Sequence, residues 1–152
     1  IVVMLYSYRT IERNEDWRDD YTLWRKTCET APNCARAHNN LGIAYFNKGM
    51  IDEAITEYKK SIELNPDPAE PHINFGAALI KKGSPHRAIL ECKKAVELNP
   101  NIAKAYNILG AAYQNTGTFD KAIAAYKKAL EIDPDYLEAR NNLALAKGLI
   151  QK

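Results

Sequence analysis

The side chains able to do chemistry are few and scattered. His38 and His72 stand 34 residues apart, His86 lies in a turn, and Cys28, Cys34 and Cys92 make neither a Cys-x-x-Cys pair nor a His/Cys cluster with zinc spacing. Recurrence of His38 and His72 at one interval points to a shared packing or groove-lining position rather than to a metal pair. The adjacent acids Asp19-Asp20 and Asp52-Glu53 invite general acid–base work, but neighbours on a helix point about 100° apart. Asp52-Glu53 also opens a helix, where acids offset the dipole. Cys28 and Cys92 fall on core-facing helix positions, where a free thiol acts as a small hydrophobe. Cys34 stands in a loop as the one candidate reactive thiol, with a Cys28–Cys34 bridge as a further option. There is no Gly-rich phosphate loop and no nucleophile–base arrangement. The expectation is a non-enzymatic protein with no catalytic residue, no metal and no cofactor.

Composition agrees. The 152 residues carry 21 Lys+Arg against 19 Asp+Glu, a net charge of +2, with 46% apolar residues. That is too apolar for a disordered tail and too evenly charged for a phosphate-binding surface, so no nucleic acid is expected.

The elements that must position any site are set by a repeat. Leu41-Gly42, Phe75-Gly76 and Leu109-Gly110 recur at 34 residues; so do Ala54, Ala88 and Ala122, then Gly49, Gly83 and Gly117, then Pro66, Pro100 and Pro134. Such a period means one supersecondary unit stacked on its neighbours. Tyr106, Leu109, Gly110 and Tyr113 fall on one helical face, Gly117 breaks the helix, and Phe119 opens a second whose inner face is Ala122, Ile123, Tyr126, Ala129 and Leu130. Pro134 closes it.

These residues resemble the tetratricopeptide repeat family, whose aromatic-x-x-Leu-Gly-x-x-Tyr…Ala…Tyr…Ala…Pro pattern they reproduce at 35–68, 69–102 and 103–136. The middle copy departs from it with Leu79 for the first Tyr and Cys92 for the second aromatic, and His38 and His72 replace the Tyr106-type residue. The resemblance implies an all-α solenoid, a right-handed superhelix of helix-turn-helix repeats. The same ruler gives a degenerate half repeat at 16–34, with Trp17, Tyr21, Trp24 and Cys28 on its buried side, and a capping helix at 137–152, making seven or eight helices.

On this reading the concave face is lined by first helices and receives a protein or peptide. Its candidate contacts are Asn39, Asn40, Asn74, Asn107, Asn141, Asn142 and Lys104, because an amide both donates and accepts and can pair with any backbone. The ladder is broken at Ile108. It resembles the asparagine ladders of O-GlcNAc transferases, which bind extended polypeptide. The clamps that hold heat-shock chaperone tails match at Lys104 and Asn74 but not at Asn39, Ile43 or Ile108, which disfavours that role.

The ends carry two more expectations. Residues 1–15 begin with the apolar run Ile1-Val2-Val3-Met4-Leu5-Tyr6, too short to cross a membrane. With Trp17-Arg18-Asp19, Leu23-Trp24-Arg25 and the start of the repeats, it resembles the junction in transmembrane O-mannosyltransferase-type proteins, where the last membrane helix leads into the repeats. That resemblance implies attachment through sequence upstream of Ile1 and an extracytoplasmic or cell-surface setting, the alternative being cytoplasmic. Alternatively, Ile1, Val2, Val3, Leu5 and Tyr6 at one end and Leu145, Leu149 and Ile150 at the other form complementary apolar surfaces that join copies head to tail into an oligomer or filament.

Overall fold

The computed structural model describes residues 19–150, with the side chain of Ile150 excepted. Ile1–Tyr6, Trp17 and the end of the capping segment therefore lie outside the described residues. Eight α-helices occupy the rest: α1 (Asp20–Thr30), α2 (Ala35–Asn47), α3 (Ile51–Leu64), α4 (Ala69–Lys81), α5 (Pro85–Leu98), α6 (Ala103–Asn115), α7 (Phe119–Ile132) and α8 (Leu137–Ile150). Among the described residues there is no strand. No described helix is long and apolar enough to cross a membrane.

The repeated residues explain why each helix stops and turns. Gly49, Gly83 and Gly117 have φ of 78°, 76° and 72°, the left-handed region that a β-carbon resists. After each, the next backbone N–H reaches five residues back: Met50 to Tyr45 O at 3.0 Å, Ser84 to Leu79 O at 2.8 Å, Thr118 to Tyr113 O at 3.0 Å. This closes the first helix and launches the second. The residue before each proline does the matching work at the other end. Asn65, Asn99 and Asp133 turn their Oδ1 onto the backbone N–H two residues on, at 3.2, 3.0 and 3.1 Å, and so initiate the turn to the next helix.

The described chain falls into two compact units, one ending at Leu64 and one beginning at Asn65. In the first, α2 and α3 form a helix pair with α1 against α2. None of the α1 residues is fully buried; Tyr21, Trp24 and Cys28 of the expected inner side are half-buried. The helix is held instead by Tyr21 packing edge-on to Tyr45, ring centroids 5.2 Å apart, and by Lys48, whose Nζ lies 4.5 Å over the Tyr21 ring and donates to Asp19 Oδ2 at 3.0 Å.

In the second unit, α4–α5 and α6–α7 are helix pairs and α8 packs on α7 and α6. Ala69, Ile73, Ala95 and Ala105 make one cluster; Cys92, Leu109 and Ala125 a second; Ala122, Tyr126 and Ala146 a third. Ile108 packs against the first two and Tyr113 against the last two. The core is thus a row of small cores rather than one centre.

Close approach within each pair depends on the Leu-Gly position. A β-carbon on Gly42 would stand 2.6 Å from Tyr58 Cε1, and one on Gly110 2.5 Å from Tyr126 Cε1. In the middle pair, where Cys92 replaces the aromatic, a β-carbon on Gly76 would meet its Sγ at 2.6 Å. Glycine is required in all three because the partner side chain fills the space.

Candidate functional site

The first helices α2, α4, α6 and α8 carry the predicted peptide contacts, and the structure sorts them into different environments. Asn39 and Asn107 are buried, at 4% and 0% exposure. Asn107 Oδ1 accepts from Asn142 Nδ2 at 3.0 Å, and its Nδ2 donates to Tyr136 Oη at 3.4 Å. These two amides therefore do not line an open face, which corrects the sequence expectation. Asn107 is a strut that joins α6 to α8 and to the turn before α8, because its position on the helix faces the following pair. Asn141, one period later, is exposed; no described helix pair follows α8 to cover it. Asn40 and Asn142 are half-buried. Ile108, where the ladder breaks, is packed between two cores.

Two predicted residues meet. Lys104 on α6, exposed, donates its Nζ to Oδ1 of Asn74 on α4 at 3.2 Å. An ammonium has three donors, so this contact orients the cation and leaves donors for an incoming acceptor. Elsewhere in the second unit, Gln114, Asn141, Ala144, Leu145, Gly148 and Leu149 line a cleft of about 690 Å³ between α6 and α8. Gln114 is fixed there by Tyr126, whose hydroxyl donates to its Oε1 at 3.1 Å. Leu145 and Leu149, predicted as assembly residues, are 62% and 44% exposed at this cleft.

The histidines are packed and paired. His38 Nδ1 lies 2.6 Å from Glu57 Oε2, and His72 Nδ1 lies 2.8 Å from Glu91 Oε2. Both rings are 2% exposed. Their carboxylates were missed, although Glu57 and Glu91 are themselves 34 apart. In the third repeat the position of the histidine is Tyr106 and that of the glutamate is Ala125. Both members change together, and that joint change was the available signal.

All three cysteines are free thiols: Cys28 half-buried, Cys34 exposed, Cys92 buried. Burial pushes the Cys92 thiol up to about 12, and burial followed by the Glu57 charge pushes Cys28 up to about 11. Neither is an activated nucleophile on its own. Cys28, His38 and Glu57 nevertheless bring their ligating atoms within 4.8 Å of one another, a gathering that the spacing along the chain did not reveal. On the surface, Lys128 donates to Glu131 Oε2 at 2.8 Å.

Paired helices of one length, a Gly-aromatic contact inside the pair and first helices sharing one face within the second unit define a helical-repeat protein of the interaction type. The chain belongs to the tetratricopeptide repeat family, whose pattern matches residues 35–68, 69–102 and 103–136. Among solved structures it is similar to the first TPR of Spaghetti (RPAP3) bound to the HSP90 peptide SRMEEVD, at 29% identity and a TM-score of 0.75, covering 78% of this chain and 94% of that one. It is also similar to MamA, at 31% identity and a TM-score of 0.77, covering 91% and 82%. Protein O-mannosyl-transferase Tmtc3 of Drosophila melanogaster is 33% identical over 55 residues, which is 36% of this chain and 6% of that protein.

Proposed function

We propose that the chain is a non-enzymatic interaction module that receives an extended acidic peptide on the first-helix face of its second unit. The observation that carries this reading is the Lys104–Asn74 contact: an exposed cation held by a buried amide, in a unit whose first helices also carry a cleft with apolar walls and amide edges. Lys104 offers a charge-assisted bond to a carboxylate, while Gln114 and Asn141 offer amides and Leu145 and Leu149 offer apolar area. The similarity to a TPR domain bound to SRMEEVD supports an acidic ligand, since that peptide carries three acidic residues. It also reopens the chaperone-tail chemistry that the departures at Asn39, Ile43 and Ile108 had disfavoured. No catalytic step is assigned to any residue.

The test is fluorescence anisotropy with labelled SRMEEVD and a neutral version in which its Glu and Asp are replaced by Gln and Asn. The acidic peptide should bind more tightly, and more weakly as salt rises. Lys104→Ala should weaken it about tenfold or more, the worth of a hydrogen bond to a charged group. Equal binding of the two peptides, or an unchanged affinity for Lys104→Ala, would sink this reading.

The exposure of Leu145 and Leu149 favours a second reading, in which this end docks on another copy of the chain. Sedimentation across a concentration series decides it: association supports it, and a monomer throughout removes it.

A further inference from the structure

Three helices of the first unit converge on the Cys28–His38–Glu57 group: Cys28 near the end of α1, His38 in the first turn of α2 and Glu57 in the middle of α3. The histidine ring is fixed on both sides. Its Nε2 lies 2.9 Å from the carbonyl oxygen of Pro32, which can only accept, so that nitrogen carries a proton. In the neutral ring Nδ1 then presents a lone pair, and it faces the Glu57 carboxylate at 2.6 Å. Two lone-pair atoms at that distance need a positive species between them, either a proton or a cation. A proton serves those two atoms alone, whereas Cys28 Sγ completes a three-donor set around the same point.

We propose that Cys28, His38 and Glu57 form a metal site for zinc or a similar borderline cation, clipping α1, α2 and α3 together with the fourth position open to water. The donor set is one zinc accepts, with sulfur, imidazole nitrogen and carboxylate oxygen. The Nε2–H bond to Pro32 is the outer-shell contact that ligating histidines make, and it holds Nδ1 in the ligating tautomer. Tetrahedral bond lengths require donor–donor separations of about 3.3 to 3.7 Å. The Nδ1–Oε2 pair must widen by under about 1 Å, and Sγ, within 4.8 Å of the other two donors, must move in by up to about 1.5 Å. The Cys28 and Glu57 side chains are only partly buried, which leaves them room to adjust and leaves an entry path. Cys28 binds as thiolate, its proton passing to solvent, so binding is accompanied by acid release.

The repeat supplies an internal control in the sequence. His72 and Glu91 repeat the nitrogen–oxygen contact at 2.8 Å, but the residue one period after Cys28 is Ile62, which has no ligand atom. The metal-free chain is titrated with cobalt(II), followed by the thiolate-to-metal charge-transfer band and the visible bands of tetrahedral cobalt. Zinc is then added in competition. One equivalent should bind, zinc should displace it, and the unfolding midpoint should rise. Cys28→Ser should abolish the charge-transfer band and weaken binding by more than about a hundredfold, since outer-shell partners alone are worth 10- to 100-fold. Cys34→Ser should change neither. Circular dichroism confirms that each variant is folded, and Glu57→Gln provides a second ligand test with little change in shape. Absence of the band in the folded chain, its survival in Cys28→Ser, or its loss in Cys34→Ser would each overturn the proposal.

Discussion

Asn142 donates its side-chain amide to Oδ1 of Asn107 across 3.0 Å, and Asn107 lies buried between α6 and α8. Asn107 has no exposed surface and also reaches Tyr136. Asn107→Ala removes a buried amide, takes a partner from both Asn142 and Tyr136 and leaves a void, at a cost of about 1–3 kcal/mol in urea unfolding. Its affinity for an acidic peptide should stay that of the unaltered chain, because the residue is covered; a large loss of peptide binding with unchanged stability would return it to the groove.

The glycines of α6 and α8 respond oppositely to one methyl group. At Gly110 the β-carbon meets the buried Tyr126 ring, so Gly110→Ala should destabilise by about 1–3 kcal/mol as the pair is forced apart. At Gly148 a β-carbon meets nothing within 4 Å, and the site lies within a helix. Gly148→Ala should raise stability by up to about 1 kcal/mol. Denaturant midpoints for the two single variants check both signs.

The attachment of α1 should respond to acid. Asp19 caps the helix, accepting from Thr22 N at 2.8 Å and Thr22 Oγ1 at 2.7 Å. Its carboxyl is lowered from 3.8 to about 2, chiefly by the backbone bond, then by the Thr22 hydroxyl and Lys48. A depressed folded value means that the stabilisation is present above the ordinary carboxylate range and disappears as pH falls toward 2. Amide exchange should therefore show α1 losing protection between about pH 4 and pH 2 while α2 keeps it, and Asp19→Ala should show the same loss near neutrality. Protection of α1 that persists in the variant would remove the cap from the account.

The helix pairs were legible because their packing repeats: a Gly-aromatic contact and a turn glycine at a fixed interval leave few alternatives. The amide ladder was read less well. Position 73 is an isoleucine at 2% exposure, and it marks its period-mates Asn39 and Asn107 as buried positions; that apolar member was the clue. The Cys28–His38–Glu57 group was out of reach, because its members lie 10 and 19 residues apart on three helices and Cys28 belongs to the degenerate half repeat. Proximity of that kind exists only once the helices are placed.

Ile108 and Tyr113 each serve two neighbouring cores. The second unit therefore has no seam along which a single repeat can be altered privately: a change at either side chain is felt on both sides of α6. Shortening or lengthening this unit by whole periods preserves those shared pins, and any other step leaves two half-cores facing residues meant for something else.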